Sequence, residues 1–169
     1  GYCIPLSSQY VLKEVKNKSK LTLLRETIKT DTNINILIAK SLIKKGYKKI
    51  GVLGLSYKGN LKVDILSPVI PFIKYLKSKG KSVSLFDPYY SNKEITQITG
   101  VKSFKYPQDL SKFDCIVVSI DHKEFKTNMN NIIKYLTNCK YILDNMKVWE
   151  KINFPKHITY KISGEKNWI

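Results

Sequence analysis

The sequence predicts a doubly wound α/β fold: a mostly parallel sheet with helices on both faces, preceded by a helical linker segment. Three observations lead there. From Lys48 onward, short apolar runs of strand length alternate with stretches at helical spacing, which implies right-handed crossovers between parallel strands. The runs at 50–55 and 115–120 are apolar at nearly every position, as strands covered on both faces are. Ahead of Lys48 the chain shows helical spacing and no strand-like run.

Taken in order, residues before Asn33 carry little periodicity until Ser8–Lys16, where Tyr10, Val11, Leu12 and Val15 predict a short helix. A stronger helix follows, with Ile34, Leu37, Ile38, Leu42 and Ile43 at helical spacing and Gly46 as its stop. Lys40, Lys44 and Lys45 gather near its C-terminal end, where the helix dipole favours cations. Its apolar face must pack on the following domain or on a second subunit. Ile50–Leu55 reads as a buried strand, Pro68–Lys79 as a helix carrying Val69, Phe72, Ile73 and Leu76, and Ser82–Phe86 as the next strand. A short helix near Asn92–Thr99, a strand at Val101–Phe104, and a very apolar strand at Cys115–Ile120 come next. A helix near Met129–Leu136 and strands at Tyr141–Leu143 and His157–Ile162 complete the expectation. Residues 1–46 thus form the linker piece and 47–169 a Rossmann-like domain.

The chain's 169 residues, 43% of them hydrophobic, exclude disordered, coiled-coil and collagen-like classes. No apolar run approaches the ~18–20 residues of a membrane span, and no secretory signal opens the chain, so a cytoplasmic protein is expected. Lys+Arg 30 against Asp+Glu 13 gives a net charge of +17. Arg25 is the only arginine, and the lysines are scattered. Nucleic-acid sites favour arginine's bidentate fork, so the charge reads as a solvated surface rather than a nucleic-acid face. Cys3, Cys115 and Cys139 show no Cys-x-x-Cys spacing, which speaks against a disulfide framework or a zinc site and suits a reducing compartment. A first residue of glycine, not methionine, reads as a piece of a longer protein.

In doubly wound sheets, ligands bind at the carboxyl ends of the strands where the strand order reverses. Attention falls on the turn Gly51-Val52-Leu53-Gly54-Leu55-Ser56-Tyr57-Lys58-Gly59-Asn60. It lacks the full Gly-x-Gly-x-x-Gly fingerprint of a dinucleotide site. It does offer small residues for close backbone approach and a lysine suited to phosphate. By pattern alone, Lys58 serves equally as a solvated lysine or a ligand contact.

Four segments, in order along nearly the whole chain, resemble the C-terminal half of the UDP-glucose/GDP-mannose dehydrogenase family. Gly1-Tyr2-Cys3-Ile4-Pro5 resembles its catalytic-cysteine loop, and Val52-Leu53-Gly54-Leu55-Ser56-Tyr57-Lys58, with Asn60 and Ser67-Pro68, the opening of its UDP-binding domain. Phe86-Asp87-Pro88-Tyr89 resembles its second strand end, and Asp121-His122-Lys123-Glu124-Phe125 the loop after its fourth strand. The first and last of these are most similar to the branch that oxidises UDP-N-acetylmannosamine and related UDP-N-acetylhexosamines.

The resemblance implies oxidation of a sugar C6 alcohol to a carboxylate with two NAD, through a cysteine thiohemiacetal and thioester that water hydrolyses. Cys3 would be that nucleophile, whereas Cys115 and Cys139 sit in apolar, strand-like contexts and read as small buried hydrophobes. Tyr57 and Lys58 match the aromatic–lysine pair the family uses on UDP, and Ser67-Pro68 would cap a helix whose amides face the diphosphate. His122 reads as a loop histidine that caps or orients its own turn. NAD would be bound mainly by an N-terminal domain lying ahead of Cys3, and the helix around Ile34–Ile43 would link the domains and form a homodimer.

Three positions depart from the family pattern. Ser7 stands where an aspartate helps activate the hydrolytic water, and a hydroxyl cannot take a proton near neutral pH. Ile65 and Met146 stand where arginines are expected, and the resemblance makes Lys147 a candidate UDP-binding residue that partly substitutes for the second at the diphosphate. These departures raise an alternative expectation: a degenerate family member that binds a nucleotide-sugar without oxidising it.

Overall fold

Strands β1 (Lys49–Leu53), β2 (Ser82–Phe86), β3 (Lys102–Ser103), β4 (Cys115–Val118), β5 (Tyr141–Asp144) and β6 (Thr159–Ile162) make one sheet in the order β3-β2-β1-β4-β5-β6. Every neighbouring pair is parallel. This is the doubly wound order, and it reverses direction between β1 and β4. The computed structural model describes residues 3–127 and 129–168, with the side chains at 3–5, 18, 32 and 130 outside that description.

Alternate strand residues divide the core into two layers. Ile50, Val52, Leu85, Val117 and Leu143 face one way, where α2 (Thr22–Lys44), α3 (Val69–Ser78) and α4 (Asn92–Thr99) cover them with Leu42, Phe72, Ile73, Leu76 and Ile95. Leu53, Ile116, Val118 and Ile142 face the other way, under Leu110, Phe125, Ile132, Leu136 and Trp149. The second cover is built from short turns: α5 (Lys123–Lys126) and two 3-10 segments, Gln108–Lys112 and Met129–Tyr135. The helix expected near Met129–Leu136 is therefore a 3-10 coil. Asn130 and Asn131 have low helix propensity and Leu136 is followed directly by a turn, so too few residues remain for a stable α-helix.

The linker differs most from expectation. Helix α1 begins at Cys3 rather than near Ser8 and runs to Glu14. Residues expected to be aperiodic form a 3-10 turn, Lys18–Leu21, and the first half of α2, which is 23 residues long. The reason is burial. Among the described side chains of this region only Ile38, Ala39 and Leu42 are buried; Leu21, Leu24 and Ile28 are half-buried and Leu23 is 83% exposed, so the first half of α2 carries an apolar row that is short and set among polar residues. Lys45 follows α2, and Gly46, at φ +86, turns the chain into β1.

Ser67 and Pro68 open α3 much as the sequence predicts, with one difference. The helix proper starts at Val69, whose N–H reaches Ser67 Oγ at 3.3 Å, while Ser67 Oγ itself donates to Leu55 O at 2.5 Å. Ser67 thereby ties the start of α3 to the end of β1.

Candidate functional site

At the carboxyl edge, where β1 and β4 part, lies a cleft of about 320 Å³. One wall is the loop after β1, with Ser56, Tyr57, Lys58 and Gly59; the other carries Ser119, Ile120 and Asp121 after β4. Asn145 and Met146, after β5, close one end, and Asn35 and Ile38 of α2 with Pro68, Val69 and Phe72 close the other. The linker helix therefore forms part of the site. Sequence reasoning did not assign Asn35, Ile38 or Asp121 to it; no local pattern marks residues that meet only when α2 packs on α3.

Two glycines allow the loop's path. Gly54 has φ +96, and a Cβ there would lie 2.2 Å from Ile120 Cγ2, so any side chain would be strained and blocked at once. At Gly59 a Cβ would come within 2.3 Å of Asp121 Oδ1. Both glycines let the β1 and β4 loops touch, which narrows the cleft floor.

The loop's shape is held from below. Tyr57 N–H donates to Val63 O (3.1 Å), and Ser56 Oγ donates to Leu61 O (2.6 Å). Asp87, at the end of β2, is 1% exposed and collects four donors. Its Oδ2 accepts Leu55 N–H (2.7 Å), Ser56 N–H (3.3 Å) and His122 Nε2 (3.0 Å), and its Oδ1 accepts Tyr89 N–H (2.9 Å). Burial works against the Asp87 charge, but the His122 hydrogen bond and the Leu55 and Tyr89 amides outweigh it, holding the carboxyl below its ordinary range.

His122 is fully buried, and its Nδ1 accepts Asn60 N–H at 2.9 Å. A nitrogen that accepts an amide proton carries none, so the ring proton sits on Nε2, facing Asp87. His122 occupies the N-cap position of α5 without a side-chain cap bond. The expectation that it orients its own turn is corrected: it reaches across to the β1 loop and the end of β2, contacts 62 and 35 residues away in the chain.

Of the sequence-predicted residues, Tyr57 and Lys58 lie together in the cleft wall, and among the described residues no acid pairs with Lys58. Asp121, across from it, is matched by Lys126 at 2.8 Å. Met146 lines the cleft, but Lys147 does not; its ammonium lies 3.6 Å from Glu165 and 4.0 Å from Glu150. The Cys3 side chain lies outside the described residues. Cys115 and Cys139 are buried, and burial pushes both thiols up, Cys139 to about 12, so neither is a ready thiolate.

The sheet's own first turn does not fit NAD. It lacks the three-glycine fingerprint, and the acid at the end of β2, which in dinucleotide sites meets a ribose, is Asp87, whose oxygens are already taken inside the protein. Among the described residues, no group of His, Cys, Asp or Glu could hold a metal, and no helix is long and apolar enough to cross a membrane.

Sheet order and a cleft at the reversal, with a lysine that no acid among the described residues pairs with, define a nucleotide-binding domain of the doubly wound class. Residues 51–151 match the UDP binding domain of the UDP-glucose/GDP-mannose dehydrogenase family, and the chain belongs to that family. Among its relatives are the UDP-N-acetyl-D-mannosamine dehydrogenases of Methanococcus aeolicus (28% identical, covering 100% of this chain and 39% of the relative) and Methanocaldococcus jannaschii (26%, covering 94% and 38%). A solved UDP-D-ManNAc dehydrogenase from Pyrococcus horikoshii superposes with TM-score 0.70 at 24% identity, over 96% of this chain and 38% of its own. The chain spans about two fifths of the length of these curated relatives.

Proposed function

We propose that this chain is the UDP-binding portion of an NAD-dependent UDP-sugar 6-dehydrogenase of the UDP-N-acetylmannosamine type, with Lys58 meeting the diphosphate and Tyr57 beside it shaping the nucleotide's seat. The observation that carries the reading is Lys58, in the wall of the cleft with no acid paired to it among the described residues, inside the segment that matches the family's UDP binding domain. A lysine there neutralises a phosphate oxygen as a point charge. Residues 1–46 are the linker and 47–169 the UDP-binding unit. Cys3 is the nucleophile that holds the sugar's C6 covalently, and α2 is the dimerisation helix of a cytoplasmic enzyme. NAD belongs to a domain ahead of Cys3, in keeping with the poor fit of this sheet's own turn. Lys147, with Glu150 and Glu165 as neighbours, is the weaker of the proposed diphosphate contacts, so the reading rests on Tyr57 and Lys58.

Calorimetry of the 169-residue chain with UDP tests it. The expected dissociation constant lies between roughly a micromolar and a millimolar. Absence of any heat, with Lys58→Ala indistinguishable from the parent, would remove the proposal.

A second reading has its own observation. Met146, 44% exposed, lines the cleft where the family pattern expects an arginine, and Ser7 replaces an expected aspartate. Both fit a member that binds a nucleotide-sugar without oxidising it. NADH formation by the longer protein with a UDP-N-acetylhexosamine would reject that version.

A further inference from the structure

We propose that the buried Asp87–His122 pair is a latch that sets the shape of the loop carrying Tyr57 and Lys58, with His122 a positioning residue for nucleotide binding. The inference rests on the reading of the cleft as a UDP site.

The loop is pinned at both ends by one hydrogen-bonded ring. Its start, at Leu55 and Ser56, donates two amides to Asp87 Oδ2, and its end, at Asn60, donates an amide to His122 Nδ1. The 3.0 Å bond from His122 Nε2 to the same Asp87 Oδ2 closes the ring. Asn60 sits at φ +60, a conformation that needs support outside glycine, and its Oδ1 accepts Lys123 N–H at 2.8 Å. Asn60 is therefore held twice by the β4 loop, once through its backbone and once through its side chain. Neither Asp87 nor His122 lines the cleft, and both side chains are fully buried, so any influence on a ligand must pass through residues 55–60.

The imidazole suits this place because it offers an acceptor and a donor on opposite sides of a rigid ring. A phenyl ring would fill the space but orphan the Asn60 amide and one Asp87 lone pair. The Tyr89 ring at 5.0 Å and the Phe125 ring at 5.4 Å pack against the imidazole and keep water away, so the two bonds have no solvent substitute. The loop's own contacts at Val63 and Leu61 hold its middle and do not reach Asn60, which the β4 loop holds.

The test separates the two ring nitrogens. His122→Gln carries an amide to about the Nε2 position and abandons Asn60, whereas His122→Asn keeps an acceptor near the Nδ1 position. Each variant of the full 169-residue chain is measured by UDP calorimetry and by amide hydrogen exchange resolved to residues 55–60 and to the strands. Loss of the Asn60 acceptor is expected to weaken UDP by about tenfold in His122→Gln and to speed exchange at 55–60, with strand exchange unchanged. His122→Asn should recover most of both. A general loss of packing would instead move the strands together with the loop, and would not be rescued by asparagine. Parent-like affinity and parent-like loop exchange in His122→Gln overturn the latch. The two readings also fail differently. If the parent ignores UDP while loop exchange still follows the Gln and Asn pattern, the UDP assignment falls and the latch stands. If Lys58→Ala loses UDP while both His122 variants behave as the parent, the latch falls and the UDP site stands.

Discussion

Two carboxylates are buried at the carboxyl edge of this sheet, Asp87 after β2 and Asp144 at the end of β5, and they organise loops in different ways. Asp144 serves its own surroundings: it accepts Met146 N–H (3.0 Å), Trp149 N–H (2.8 Å) and the Tyr160 hydroxyl of the adjacent strand (2.8 Å). Asp87 serves other loops, gathering Leu55, Ser56 and His122 from the turns after β1 and β4. Both are fully satisfied, as buried charges must be. What differs is reach. One carboxylate shapes the turn that follows it and touches the cleft through Met146, and the other couples the two walls that carry Lys58 and Asp121, so ligand affinity should depend more on Asp87 than on Asp144.

The sharpest way to break that comparison is to delete each carboxylate. Asp144→Ala leaves the buried Trp149 amide and the Tyr160 hydroxyl without an acceptor and should lower unfolding free energy by about 3 kcal/mol in urea titrations. UDP affinity of the molecules still folded should fall less than in Asp87→Ala, because among the described cleft residues the Asp144 carboxylate bonds Met146 alone. Asp87→Ala should destabilise by a similar amount, about 3 kcal/mol, and also weaken UDP, because Leu55, Ser56 and His122 all lose their anchor. Equal affinity in the two variants would show that the coupling assigned to Asp87 is absent.

Next in size, Lys58→Ala should weaken UDP by about tenfold or more while shifting stability by no more than about 0.5 kcal/mol, since an exposed lysine is replaced. Calorimetry beside thermal melting reads both quantities. Tyr160→Phe should cost about 1 kcal/mol and leave affinity alone, because Asp144 keeps its two amide donors. In the parent, burial and the Asp144 bond push the Tyr160 hydroxyl well above its ordinary range, so it donates at any working pH.

The smallest expected effect is on acid stability. The Asp87 carboxyl is held below its usual value of 3.8, so its charged form stabilises the fold fully above that value and loses its effect as pH falls through the lower folded value. Melting temperatures of the parent should fall more steeply below about pH 4 than those of Asp87→Asn, which has no such proton to gain. Parallel acid limbs for the two proteins would show that Asp87 is not the group responsible.

Much of this was legible beforehand. The strand Ser82–Phe86 and the helix Asn92–Thr99 lie where the alternation of strand-like and helical runs put them, and the structure closes that helix with a Ser91–Glu94 capping box and Gly100. The turn after the first strand likewise announced itself by its glycines and lysine. The first half of α2 was not legible, because its apolar row, Leu24 and Ile28, is short, half-buried and set among polar residues. Nor was the placement of Lys147: from sequence it is the cation nearest the missing arginine at 146, yet its φ of +56 and its acidic neighbours set it apart from the cleft lining.

The sequence alone determined the doubly wound class and the turn that carries Tyr57 and Lys58, because strand alternation, caps and glycine turns are written within a few residues of one another. Tertiary structure decided the rest. Asp87, His122 and Asn60 lie far apart in the chain, and although each falls in a segment that resembles the family, no segment shows that the three meet; only the sheet order, which sets β1 between β2 and β4, brings the ends of those strands within hydrogen-bond reach and makes a loop motif into a braced site.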